Sequence, residues 1–221
     1  MNLPDRLFPQ IWYWIGYLVF VPLLVRQIWR APWSRLRDPA LLNCWLGTVT
    51  CLLLLWQIDA RIQPGITFHL LGATIFTLMF GPELALVGLA IVVGAAAAWG
   101  TGSWQSLGLN GLTMAAVPVA VSYTLYRLIE NYLPNHVFIY IFVTGFAGAG
   151  AAVSAVGLAT VTLLAGAGAY PAGQLFGFYL PYYLLLAWSE AFLTGMAMTL
   201  FVVYKPKWVS TFDDGRYLRN K

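Results

Sequence analysis

Five polar side chains lie inside segments of this sequence that are otherwise apolar, and their chemistry needs an explanation. They are Asn43, His69, Glu83, Asn110 and Glu190. A polar or ionisable group is costly in a hydrophobic environment, so it is expected to pair with another group, to face a polar cavity or to bind a ligand. The chemistry open to this set is metal ligation, proton transfer or structural hydrogen bonding.

His69 is the side chain with the widest range of chemistry. It belongs to the segment Phe68-His-Leu-Leu-Gly-Ala-Thr74. A neutral imidazole nitrogen could bind a metal ion or carry a proton. The alternative is a hydrogen-bonded residue near the end of an apolar segment. The only other histidine, His136, falls on the opposite side in the topology derived below, so a haem or metal ion held by both histidines is not expected.

Asn110 and the two glutamates each have a structural and a functional interpretation. Asn110 stands between Leu109 and Gly111, and asparagine is favoured either as a helix N-terminal cap or as a group that orients a ligand. Glu190 lies in the middle of a long apolar run, where a structural hydrogen bond and a role in transport are both open. Glu83 follows Gly81-Pro82 and also needs a reason to lie next to an apolar segment.

Other signatures of chemistry are weak or absent from these 221 residues. Cys44 and Cys51 are seven positions apart, about 10 Å along a helix axis, which is too far for a disulfide. The two cysteines could be small buried side chains or ligands of a soft metal ion. There is no Walker-type phosphate loop, no H-E-x-x-H and no G-x-S-x-G, so no catalytic residue and no enzyme activity are predicted.

The elements that position these residues are predicted from composition. Hydrophobic residues make up 60% of the chain and charged residues 9%, with a mean hydropathy of +0.74. Soluble domains contain about 25% charged residues. The sequence therefore predicts an all-α polytopic membrane protein, a single integral membrane domain over 1–221 with an N-terminal segment at 1–10 and a cytoplasmic tail at 205–221.

About seven spans are predicted, since each needs about 20 apolar residues. They run over 11–29, 40–57, 67–80, 83–99, 109–129, 136–164 and 178–204. With an odd number of spans, ten of the twelve Lys and Arg residues fall on one side. By the positive-inside rule, the C-terminus is cytoplasmic and the N-terminus outside. This placement between spans also argues against nucleic acid as a partner.

Five ordered motifs together resemble a known family. They are Met-x-x-Pro-Asp at the N-terminus, Phe-His-Leu-x-Gly-x-Thr, Gly-Pro, Leu-Gly-x-Asn and Glu-Ala-x-x-Thr-Gly. The ordered set resembles the cobalt/nickel-type substrate-binding membrane subunits, or permeases, of energy-coupling factor (ECF) ABC transporters. The resemblance covers nearly the whole chain, including the seven-span count.

The resemblance implies a metal site at the N-terminus. In the family, the N-terminal segment enters the helical bundle from outside, and its amine, the backbone nitrogen and imidazole of residue two and the Phe-His-Leu histidine bind the metal. Here the implied ligands are Met1, Asn2 and His69, with Asn2 where a histidine is expected and Arg6 where a glycine is expected. An amide oxygen is a weaker ligand for Ni, Co or Cu than an imidazole.

Other implied roles complete the expectation. Asn110 and Thr74 would orient the ligands, while Glu83 and Glu190 are left as structural or gating candidates. The loop 100–107 could cover the site. The substrate would be a Ni, Co or Cu ion, with no organic cofactor. The partners would be a coupling transmembrane subunit and ATPase subunits in the cell (inner) membrane.

Three other functions remain open at this stage. One is a substrate-binding subunit for an organic micronutrient, which the many aromatic residues would favour. Another is a helper or assembly protein, favoured by the small-residue faces at 94–98 and 145–152. An intramembrane enzyme or redox protein would need clustered ionisable groups, which this sequence scatters.

Overall fold

The structure, a computed structural model, describes residues 2–63 and 66–217, and within these ranges it is mainly helical. Its helices are α1 (Gln10–Arg30), α2 (Pro39–Leu55), α3 (Ala73–Phe80), α4 (Pro82–Ala98), α5 (Leu107–Tyr132), α6 (Val137–Gly166), α7 (Ala172–Tyr204) and the short α8 (Asp214–Tyr217). Single 3₁₀ segments occur at Trp33–Arg37 and Pro206–Trp208.

A small hairpin interrupts the helices and was not predicted. Strands β1 (Ala60–Gln63) and β2 (Ile66–Phe68) pair antiparallel, with Ala60 opposite Phe68. The described residues are mainly helical, and this two-stranded hairpin is an addition to the predicted helices. The hairpin matters for the site because β2 leads directly into His69.

The predicted third span, 67–80, is wrong over its first half. Residues 66–68 are a strand, residues 69–72 have no regular structure, and the helix covers only Ala73–Phe80. Gly72 lies in the left-handed region at φ 65°, which ends the extended segment just before α3. Eight residues give a helix of about 12 Å, less than half the thickness of a bilayer core of about 30 Å.

Four helices in the described part are long and apolar enough to cross a membrane: α1, α5, α6 and α7. The apolar helices α2 and α4 are shorter, at 17 residues each. The predicted boundaries of these six helices agree with the structure within a few residues, except that α7 begins six residues before the predicted start. The seven-span count and the orientation of both termini stay predictions.

Prolines account for several helix boundaries and irregularities. Pro39 is the first residue of α2, and the preceding Asp38 caps the helix: its Oδ1 accepts a hydrogen bond from the Ala40 N–H at 2.9 Å. The π segments Leu112–Ala116 and Leu175–Tyr179 are each followed two residues later by a proline, Pro118 or Pro181. A proline ring clashes with the carbonyl four residues earlier, and the wider π turn makes room for it.

Helices α1 and α5 cross with their backbones nearly in contact. A Cβ added to Gly108 would lie 2.5 Å from the carbonyl carbon of Gly16, and one added to Gly16 would lie 2.8 Å from the Leu109 nitrogen. Only glycine permits this approach. The crossing brings the start of α5, and with it Asn110, against the chain that enters α1.

The tail docks under α3. The last carbonyls of a helix lack intrahelical partners, and here the N–H groups of Ser210 and Thr211 donate to Met79 O at 2.9 Å and Leu78 O at 3.3 Å. Arg216 forms an ion pair with Glu130 of α5. The tail is therefore a packed part of the fold up to residue 217.

Candidate functional site

The N-terminal segment is bound inside the protein at the start of α5. Leu3 is fully buried. Its N–H donates to Asn110 Oδ1 at 2.8 Å, and its carbonyl accepts from Asn110 Nδ2 at 3.2 Å and from Ser106 Oγ at 2.5 Å. The Asn110 amide thus satisfies both polar groups of one buried residue, as a neighbouring strand would.

Asn2 lies between the hairpin and the loop before α5. Its N–H donates to Thr67 Oγ1 of β2 at 2.9 Å, and its side-chain Nδ2 donates to the Thr101 carbonyl at 3.1 Å. The backbone of residue two is therefore tied two positions away from His69. Met1, the first predicted ligand, lies outside the described residues.

A single hydroxyl group organises the remainder of the segment. Tyr13 of α1 is buried, and its hydroxyl oxygen accepts the N–H groups of Leu7 and Phe8, each at 3.1 Å, while it donates to the Pro4 carbonyl at 3.3 Å. Arg6, inside this turn, has φ 65°. It occupies a backbone conformation that favours glycine, at the position where the resemblance leads one to expect glycine.

One ring nitrogen of His69 has no hydrogen-bond partner among the described residues. The residue is 2% exposed and its ring packs on Trp56, with centroids 4.8 Å apart. Nδ1 lies 3.1 Å from the Leu70 carbonyl, which can only accept, so a neutral ring carries its proton on Nδ1. None of the described residues gives the buried Nε2 a hydrogen bond. Its lone pair is therefore available to a ligand.

The segment after His69 is bound by a carboxylate from α7. Glu190 is 1% exposed, and its two oxygens accept the N–H groups of Leu71 at 2.9 Å and Gly72 at 2.6 Å. These amides immediately precede α3, where the helix dipole favours a negative charge. Glu190 therefore holds the backbone that joins His69 to α3.

Neighbouring residues fix the two ends of this segment. Thr74, in the first turn of α3, hydrogen-bonds Ser122 of α5 through the two hydroxyl groups at 2.8 Å, and so its hydroxyl is engaged away from His69. Phe68 is surrounded by aromatic rings of α7, with centroid distances of 5.2 to 5.8 Å, namely Tyr179, Tyr182 and Tyr183.

The sequence as a whole matches a known protein family. The family model CbiM, described as the cobalt uptake substrate-specific transmembrane region, matches residues 2–208. The chain belongs to this family. No curated protein matches the sequence. Together with the four long apolar helices of the described part, membership makes this CbiM-family chain a multi-pass membrane protein.

Two solved structures share the fold of this CbiM-family chain at 20% sequence identity. A crystal structure of a truncated transition metal transporter has a TM-score of 0.76, with 92% of this chain and 99% of that chain covered. A crystal structure of a transition metal transporter has a TM-score of 0.72, with 94% and 93% covered. At this identity the likeness shows the fold alone.

The predicted site residues divide between the two ends of α3. Asn2, His69 and Asn110 gather at its N-terminal end. Glu83 follows its C-terminal end, in the first turn of α4, close to the docked tail.

His136 caps α6: its Nδ1 accepts a hydrogen bond from the Phe138 N–H at 3.1 Å. Tyr140, four positions after His136, hydrogen-bonds Thr211, which in turn bonds Leu78 near the C-terminal end of α3. The two histidines therefore lie towards opposite ends of α3. Among the described residues, no cluster of three His, Cys, Asp or Glu side chains that could hold a metal ion occurs.

Four partners of the N-terminal segment were missed by sequence reasoning: Tyr13, Thr67, Thr101 and Ser106. Thr67 and Ser106 immediately precede the Phe-His-Leu and Leu-Gly-x-Asn motifs, so their position was the available signal. Thr101 contributes only its carbonyl, which has no side-chain signature.

The two cysteines lie elsewhere and are free. Both line an apolar groove of about 620 Å³ between α2 and α7, floored by Ile75 and Met79 of α3. As predicted, they form no disulfide with each other.

Proposed function

We propose that this CbiM-family chain captures a transition-metal ion, Co, Ni or Cu, as the substrate-binding membrane subunit of an ECF-type ABC importer. The observation that carries the proposal is the buried Nε2 of His69, which no described residue satisfies, in a segment that also binds Asn2 through Thr67. A buried acceptor without a partner costs about 1–3 kcal/mol. Imidazole nitrogen is a ligand that these ions prefer.

The donor set would combine His69 Nε2, the main-chain nitrogen of Asn2 and the Met1 amine. The Asn2 N–H now donates to Thr67, so this nitrogen would have to lose its proton to bind a metal ion. Ion capture would therefore release protons, as is usual when ligands must be deprotonated. The Asn2 side chain adds at most an amide oxygen, because its Nδ2 is bonded to Thr101.

The loop before α5 would exclude water from the bound ion. It contacts residues two and three through the Thr101 carbonyl and the Ser106 hydroxyl. Since both contacts are made by the N-terminal segment, release of the segment and opening of the loop would be one event. Such a closed pocket strengthens the interaction of an ion with its ligands.

Energy for uptake would come from separate subunits in the cell (inner) membrane. The 221 residues contain no Walker-type loop, so ATP hydrolysis would belong to ATPase subunits that act through a coupling transmembrane subunit. Uptake of radioactive nickel or cobalt by cells expressing the chain with these subunits is expected to stop when the Walker lysine of the ATPase is replaced. Unchanged uptake in that strain would contradict the coupling.

Metal content tests the capture step directly. Protein purified with its native N-terminus and a C-terminal tag is expected to bind close to one Ni, Co or Cu ion in elemental analysis and titration. His69→Ala and a two-residue N-terminal extension should each abolish binding, whereas His136→Ala should not. Absence of binding, or binding indifferent to both changes, would reject the proposal and favour an organic micronutrient or a helper role.

A further inference from the structure

Two consecutive peptide groups link the Glu190 carboxylate to His69. The first contains the Leu70 carbonyl, which lies 3.1 Å from His69 Nδ1, and the Leu71 N–H, which donates to Glu190 Oε2 at 2.9 Å. The second contains the Leu71 carbonyl, which accepts from Trp56 Nε1 at 3.2 Å, and the Gly72 N–H, which donates to Glu190 Oε1 at 2.6 Å. Each peptide group is thus held on both sides.

Peptide geometry makes this linkage rigid. A trans peptide group is planar, and its carbonyl and N–H point in opposite directions. When Glu190 fixes the direction of the Leu71 N–H, it also fixes the direction of the Leu70 carbonyl. That carbonyl determines which nitrogen of the His69 ring bears the proton, because it can only accept a hydrogen bond.

Among the described residues, no cation pairs with the Glu190 carboxylate. None of the ion pairs found in the described residues includes Glu190, and its two bonds are both to backbone amides. A carboxylate buried in the middle of α7 is costly. Glutamine at this position would offer one acceptor oxygen in place of two, and its amide nitrogen would bring a further donor towards the two N–H groups.

We propose that Glu190 is a positioning residue for the metal-binding imidazole. Through the Leu70–Leu71 peptide group it keeps the proton of His69 on Nδ1 and leaves Nε2 free as the donor atom. This inference rests on the proposed capture of a metal ion at His69. Groups that hydrogen-bond a histidine ligand, as the Leu70 carbonyl does here, typically change metal affinity by about 10–100-fold when they are removed.

The tautomer of His69 tests the proposal without any metal. The chain has only two histidines, so nitrogen-15 histidine labelling and solid-state NMR in lipid bilayers give two pairs of ring nitrogen signals. The pair that is lost in His69→Ala belongs to His69. The wild-type protein is expected to carry the His69 proton on Nδ1. Glu190→Gln is expected to shift His69 towards the Nε2–H form or a mixture and to weaken Ni²⁺ binding about tenfold or more.

A matched control separates this role from general support of the fold. Thr194 lies one turn further along α7, is fully buried, and its hydroxyl has no partner among the described residues. Thr194→Val should leave both the tautomer and the Ni²⁺ affinity unchanged. Glu190→Asp, which keeps both acceptor oxygens, should retain more of the Nδ1–H form than Glu190→Gln.

Several results would overturn the proposal. A wild-type His69 with its proton on Nε2 would do so with no variant at all, which covers the case in which Glu190→Gln does not fold. A folded Glu190→Gln with the wild-type tautomer and affinity would do so as well. If the wild-type protein binds no metal ion, the proposed function fails, whereas the tautomer of the metal-free variants still decides the role of Glu190.

Discussion

The backbone of Leu3 and the side-chain amide of Asn110 form a closed pair of hydrogen bonds. The Leu3 N–H donates at 2.8 Å, and its carbonyl accepts at 3.2 Å. This pair joins the first residues of the chain to the start of α5, 107 positions away. The pair at Leu3 supports the position of Asn2, which is itself hydrogen-bonded to Thr67 of β2.

Asn110→Ala is expected to release the N-terminal segment. It would leave the buried N–H of Leu3 without an acceptor, at a cost of about 1–3 kcal/mol. Metal affinity should fall about tenfold or more, because residue two loses its fixed position. Hydrogen exchange at Leu3 and titration with Ni²⁺ measure the two effects. Asn43→Ala, at an exposed position on α2, serves as the control, and equal behaviour of the two variants would contradict the prediction.

Arg6→Gly is expected to stabilise the protein. At φ 65° a side chain with a Cβ is strained by about 1–2 kcal/mol, and the greater freedom of glycine in the unfolded chain cancels about half of the gain. A rise in Tm of a few degrees is expected in thermal unfolding. Arg6→Ala removes the charge but keeps the Cβ, so it should give no such rise. A gain shared by both variants would assign the effect to charge instead.

Long apolar runs were sufficient to predict most of the helices. Helices α1, α5 and α6 each contain 21 or more residues, and the loops between them carry prolines and charges. The same signal failed at 67–72, because a buried extended segment and a buried helix are both continuously apolar. Only the left-handed Gly72 separates the two, and a glycine in the sequence does not reveal its φ.

The candidate residues of the site can be picked out from the sequence, whereas their partners cannot. His69 and Asn110 stand out as polar residues within apolar segments. Their contacts, however, are made with main-chain groups of Leu70 and Leu3, and a main-chain partner has no residue type that a pattern could recognise. For the same reason Glu190 could be noticed from the sequence, but its two backbone donors could not be identified.

Asn2→His is expected to tighten metal binding. An imidazole nitrogen is a better ligand for Ni²⁺ and Cu²⁺ than an amide oxygen. The substitution removes one hydrogen bond, from the Asn2 side chain to the Thr101 carbonyl. We expect a gain of about tenfold or more in affinity, with a shift of the visible absorption bands towards a nitrogen-rich ligand set. Asn2→Ala controls for the lost Thr101 bond. An affinity of Asn2→His equal to that of Asn2→Ala would contradict a ligand at this position.

Thr211→Val is expected to destabilise the docked tail. The Thr211 hydroxyl lies 2.8 Å from the Leu78 carbonyl and 2.6 Å from the hydroxyl of Tyr140, which is 1% exposed. Valine has a similar shape but leaves both groups without this partner, so the free energy of unfolding should fall by about 1–3 kcal/mol. Thermal unfolding measures the change. Ser210→Ala is the control, because the Ser210 hydroxyl makes only a long contact of 3.4 Å with the same carbonyl. If Ser210→Ala lowers the free energy of unfolding as much as Thr211→Val does, the Thr211 hydroxyl has no special role in docking the tail.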